Sequence, residues 1–179
     1  MAKKKQAESS NFNKTKRLAL TGLLFAIALM LSLVESSLPP LIITIPGIKI
    51  GLSNIIVMYS LFFLGKREAY MIAILKAIFV FVIRGPISAI LSLCGGVLSV
   101  SIMLMLMLIL REKVSYLIIS ITGAVFHNIG QLITVSIIYV NIYTLAFLPA
   151  LLISAVISGS LTTVLLRLAL PAFNQFRAK

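Results

Sequence analysis

The sequence contains no aspartate, and its only carboxylate side chains are Glu8, Glu35, Glu68 and Glu112, one to a region. Paired-carboxylate acid–base chemistry and a carboxylate-rich magnesium site are both excluded by that inventory. The single cysteine, Cys94, allows neither an intrachain disulfide nor a thiolate metal cluster. The chain has no Gly-x-x-x-x-Gly-Lys-Ser/Thr phosphate loop, so ATP hydrolysis by that route is excluded too. Neither a metal nor a cofactor is expected. Charge is scarce: 11% of residues are charged and 60% are hydrophobic. A soluble domain carries about 25% charged residues, so this chain belongs in a bilayer.

What charge there is, is positive. The formal net charge is +12, from 16 Lys and Arg against four Glu. The cations cluster at the ends of apolar runs rather than along a polar face, which points to membrane topology and not to nucleic acid. Residues 1–17, MAKKKQAESSNFNKTKR, read as a basic N-terminal tail, poorly ordered up to the membrane. The apolar run from Leu18 to Leu38 then has spanning length, about 20 residues, and lacks the short core and cleavage site of a secretory signal.

Breaks at Pro39–Gly47, GKRE (65–68), RGP (84–86), REK (111–113) and YVNIYT (139–144) divide the rest. The expected architecture is an all-α integral membrane protein of six transmembrane helices, roughly 18–38, 49–65, 68–84, 86–110, 114–140 and 144–170. They form one membrane domain, 18–171, followed by a short cytoplasmic tail, 172–179. With the N-terminus inside, all of the 16 cations except Lys49, Lys76 and Arg84 fall on the cytoplasmic side, as the positive-inside rule requires. Both termini are then cytoplasmic and the location is the plasma membrane of a bacterial-type cell.

This topology brings polar residues of five helices into one layer, the middle-to-outer half. Glu35, Ser53, Asn54, Lys76, Ser92, His127, Asn128 and Gln131 all fall there. An ionisable residue within a span costs about 2.5–3.5 kcal/mol and faces the bundle interior or a wet cavity. The layer therefore predicts a pocket open to the exterior. His127 and Gln131, four apart, share a helix face. Asn128 points about 100° away from His127 and suits either ligand contact or a tie to a neighbouring helix. Glu35 and Lys76 also read as an internal ion pair, with Lys49 as another partner. Arg84 reads as an interfacial anchor, and the MLMLML run at 103–108 as lipid-facing. Gly22 and Ala26, four apart, mark a face of the first helix where another backbone can come close.

The segments GLSNIIVMYSLFFLG (51–65), SLCGGVLSVSIM (92–103), GAVFHNIGQL (123–132) and LPALLISAVISG (148–159) together resemble the Gx transporter family, whose members are labelled heptaprenyl diphosphate synthase component I. The resemblance covers nearly everything after residue 17. That family is similar in turn to the substrate-binding S components of energy-coupling-factor (ECF) transporters. The likeness implies an S-component-like bundle that captures a vitamin- or cofactor-like solute under a lid formed by 39–49. It implies docking through Gly22 and Ala26 on a membrane coupling protein, with cytoplasmic ATPases supplying energy. The family label implies an alternative: a non-catalytic membrane accessory of prenyl or quinone metabolism. A small channel or a purely structural membrane protein is the third class. Catalysis by this chain is not expected, because prenyl diphosphate synthases hold magnesium on aspartate-rich motifs.

Overall fold

The computed structural model describes residues 2–37, 52–110, 115–139 and 146–178, with side chains over 15–34, 37, 53–110, 115–139 and 146–168. Six helices follow one another: α1 Ala2–Ser37, α2 Leu52–Phe63, α3 Lys66–Arg84, α4 Pro86–Leu110, α5 Tyr116–Tyr139 and α6 Leu148–Ala178. No strand occurs among the described residues. The expected helices are therefore present, with three shifts of boundary.

α1 begins at Ala2, well before the apolar run. The basic stretch expected to be poorly ordered is helical because Ala, Lys, Gln and Glu dominate its start and no glycine or proline precedes Gly22. α6 likewise continues past Pro171 to Ala178, where a tail was expected. α2 is shorter than its apolar run, at 12 residues. The proposed lid, 39–49, and the break at 140–144 lie outside the described residues.

Four of the six helices contain a stretch long and apolar enough to cross a membrane: Thr15–Val34, Pro86–Leu110, Tyr116–Tyr139 and Leu148–Leu168. α2 and α3 fall short for different reasons. Twelve residues rise only about 18 Å, against a hydrocarbon core of about 30 Å. α3 has 19 residues, but Lys66, Arg67, Glu68, Lys76 and Arg84 are among them.

The exterior is apolar, and hydroxyls lie inside beside an apolar core. Val82, Leu108, Ile137 and Leu168 are more than two-thirds exposed, whereas Ser53, Ser60 and Thr163 are almost wholly buried. An apolar exterior with hydroxyls inside is stable where the solvent is lipid. α2 occupies the centre and packs on α1, α3, α4 and α6. Every side chain from Ile55 to Leu61 is buried, as expected of a helix hydrophobic all round. Around it α1 packs on α3, α3 on α4, α4 on α5 and α5 on α6. Tyr59 stacks on Phe63 at 4.7 Å, and Phe62 meets Tyr116 of α5 edge-on at 5.0 Å.

Glycines set how close the later helices come. A Cβ on Gly130 would lie 3.0 Å from the Gly95 Cα, and one on Gly159 would lie 2.6 Å from the Ile121 Cα. These approaches bring backbone carbonyls within reach of hydroxyls on the next helix. Ser99 Oγ donates to Gly123 O and Ser120 Oγ to Gly159 O, both at 2.8 Å. At the far end of the bundle Arg17 Nη2 donates to Leu64 O at 2.5 Å and to Glu68 Oε1 at 2.6 Å, clasping α1 to the α2–α3 turn. That turn and the next are made at Gly65 (φ 128°) and Gly85 (φ 85°), backbone conformations that essentially only glycine adopts.

Gly159→Ala is expected to introduce about 1–3 kcal/mol of strain, partly offset by the roughly 1 kcal/mol that alanine gains in helix propensity. Gly22→Ala, whose new methyl would meet nothing within 4 Å, should leave stability unchanged or slightly higher. Unfolding of the purified protein in detergent micelles compares the two; equal behaviour would contradict the close α5–α6 seam.

Candidate functional site

One cavity of about 220 Å³ lies inside the bundle, and all six helices line it. Its position follows from the shortness of α2. Ser53 and Asn54, at the start of that helix, sit level with Lys76, since Lys76 Nζ donates to Asn54 Oδ1 at 3.0 Å. α2 therefore fills the bundle centre from Lys76 toward the Arg17 clasp. In the other direction the described walls are α1, α3, α4 and α5, through Ser32, Arg84, Ser88 and Gln131.

Contacts across helices fix the levels. Ala73 of α3 faces Gly96 of α4, and Gly95 faces His127 and Gly130 of α5. One step further from the Gly85 turn, Ser99 and Met103 face Gly123. Beyond that, Ser120 faces Gly159 of α6. From Ser88 to Met103 the lining along α4 runs about 22 Å, so a void of this volume is tall and narrow.

Five of the six expected binding residues line this cavity: Asn54, Lys76, His127, Asn128 and Gln131. The sixth, Glu35, lies on α1 with its side chain outside the described set, as does Lys49 with its whole residue. Lys76 is buried and donates to Asn54; the ion pair expected with Glu35 falls on a side chain outside the described set. Asn128 Nδ2 donates to Leu151 O of α6 at 3.0 Å, so the tie to a neighbouring helix is made while the residue also borders the void. His127 Nδ1 is buried with no hydrogen-bond partner. A small recess of about 10 Å³ opens between Lys76, Asn54, Ser92, Ser99 and His127, enough for one water-sized group.

Two expectations are corrected. Arg84 lines the cavity instead of acting only as an interfacial anchor, because it is two turns beyond Lys76 on the same face of α3. Met103, taken as lipid-facing, is buried against Gly123 and also lines the void, while Met105 and Leu108 do face outward. The cavity also extends beyond the expected polar layer, away from the Gly85 turn, to Ser120, Ser158 and Thr162. The expected docking pair stands apart from it: Gly22 and Ala26 are exposed on α1, beside Leu18 and Met30.

A family model described as heptaprenyl diphosphate synthase component I matches residues 24–169. The chain belongs to the heptaprenyl diphosphate synthase component I family. The residues lining the cavity, from Ser32 to Thr162, fall within the matched stretch. No curated protein and no solved structure matches the chain. Among the described residues no group of three or more His, Cys, Asp or Glu is placed to hold a metal ion.

The two amide- and imidazole-bearing neighbours on α5 should separate cleanly on mutation. Asn128→Ala loses a tie between helices and is expected to cost about 0.6 kcal/mol, at most about 1.7. His127→Leu removes a buried nitrogen that lacks a partner, a feature costing about 1–3 kcal/mol, so stability of the ligand-free protein should hold or rise. Unfolding measurements on both variants check the sign; destabilisation by His127→Leu exceeding that of Asn128→Ala would show that the imidazole serves packing.

Proposed function

We propose that this protein is the solute-binding membrane subunit of an ECF-type importer. In this reading it crosses the plasma membrane six times with both termini cytoplasmic, and captures a small vitamin- or cofactor-like solute from the outer side. The observation that carries the proposal is the cavity: six helices contribute to one narrow void, and Asn54, Lys76, His127, Asn128 and Gln131 converge on it. The aspartate-free composition supports a non-catalytic role.

Its partners would be a membrane coupling protein and cytoplasmic ATPases. The docking face is read on α1, where Gly22 and Ala26 leave a shallow path between larger exposed side chains. A second reading rests on the family description itself: a membrane accessory of prenyl or quinone metabolism that accompanies a separate catalytic subunit.

Ala26→Phe fills that path without entering the core, since Ala26 is exposed. It should leave folding and solute binding intact while abolishing co-purification of the coupling protein and reducing uptake at least tenfold. Affinity purification from native membranes, with mass spectrometry of the associated chains, distinguishes the readings. Recovery of a prenyl synthase without any transporter subunit, together with unaffected uptake in the Ala26→Phe strain, would replace the importer with the accessory role.

A further inference from the structure

Among the described residues three carboxamides line the cavity, on Asn54, Asn128 and Gln131, and two of them are already occupied within the protein. Asn54 Oδ1 accepts from Lys76 Nζ, and Asn128 Nδ2 donates to Leu151 O, both at 3.0 Å. The Gln131 amide, by contrast, makes no hydrogen bond among the described residues. One turn earlier on the same face of α5, His127 Nδ1 is enclosed and has no partner either. A polar group within a membrane-length helix that bonds to nothing is unfavourable, and here two such groups stand side by side.

Gly95 of α4 makes room for both. A Cβ there would fall 3.0 Å from Gln131 Cγ and 3.1 Å from His127 Cε1, so the bare glycine lets the two side chains lie against α4 at one spot. Both residues also border the void. A primary amide presents its N–H donors and its carbonyl acceptor in one plane. Its best partner is an edge on which a donor and an acceptor are neighbours, because two parallel hydrogen bonds then form at once. Asn and Gln read the edge of adenine in this way. A neutral imidazole adds one donor and one acceptor. The apolar part of the lining, which includes Met58, Leu91 and Met103, suits the faces of a small ring.

Resting on the reading of this cavity as the solute site, we infer that the solute presents a planar, uncharged edge with N–H beside C=O, as a lactam ring does. Gln131 pairs with that edge through both ends of its amide, and His127 supplies a third hydrogen bond to the same ring. A cyclic ester of the same shape has oxygen where the lactam has N–H. It turns a lone pair toward the Gln131 carbonyl and loses one of the two parallel bonds. Selection at this wall therefore needs no charge on the solute.

Three probes test this on the full-length protein in lipid nanodiscs, with binding followed by ligand-observed NMR. They are isocarbostyril, a bicyclic lactam; isocoumarin, the same ring system with oxygen in place of N–H; and farnesyl diphosphate. The lactam is expected to bind about tenfold more tightly than the lactone. Gln131→Met keeps the length of the side chain and removes the amide. It should bring the lactam down to the level of the lactone, while lactone binding persists and shows that the variant is folded. His127→Leu should weaken lactam binding about fivefold. The wild-type ratio decides the matter even where a variant fails to fold. Equal binding of lactam and lactone, an unchanged ratio in Gln131→Met, unchanged lactam binding in His127→Leu, tightest binding of farnesyl diphosphate, or no binding of any probe at millimolar concentration each overturns the inference. The importer reading fails separately: the ratio holds, yet no transporter subunit co-purifies and no uptake depends on the chain.

Discussion

Lipid offers a side chain no hydrogen bond, and that constraint arranges this molecule. Every serine, threonine, amide or charge within the membrane-length part must turn inward or to its own backbone. Thr21, Thr134, Ser158 and Thr163 bond to carbonyls four residues earlier on their own helices. Ser99, Ser120 and Asn128 reach the backbone of a neighbouring helix. Asn54, Lys76, His127, Asn128 and Gln131 meanwhile border one void.

Architecture then decides where the void lies. A central helix of full length would have filled the bundle from end to end. α2 starts level with Lys76 and occupies only the part toward the Arg17 clasp. The seams of α4 with α5 and of α5 with α6 are held at backbone distance by Gly95, Gly130 and Gly159. Closely packed walls on one side and a short plug on the other give a narrow shaft.

Much of this was legible in the residues. Hydropathy placed six helices, and their order and approximate limits agree with the structure because apolar runs broken by charge or proline leave little ambiguity. The convergence of Asn54, Lys76, His127, Asn128 and Gln131 was also readable, since amides and charges in a span have few places to go. Two kinds of information were hidden. Serine and threonine are silent in a membrane sequence: their hydroxyls can return to the i−4 carbonyl on any face, so nothing marked Ser99, Ser120 or Ser158 as cavity wall. Helix rotation was the other. Met103 and Met105 look alike in a run of alternating Met and Leu, and only the packing of Gly123 against the former shows which one turns inward. The N-terminal tail was misjudged because basic residues suggested disorder, whereas their helix propensity carries α1 out to Ala2.

The two helices that fall short of spanning the membrane on their own are consecutive in the chain. α2 lacks length, α3 carries five charges, and a hydrogen bond from Lys76 to Asn54 joins them. Neither would partition into hydrocarbon as an isolated segment leaving the ribosome. In the proposed six-span topology the two would enter as a hairpin, with the Lys76–Asn54 contact between them. On that topology, one contact between consecutive helices serves both the interior of the bundle and the assembly of the chain in the membrane.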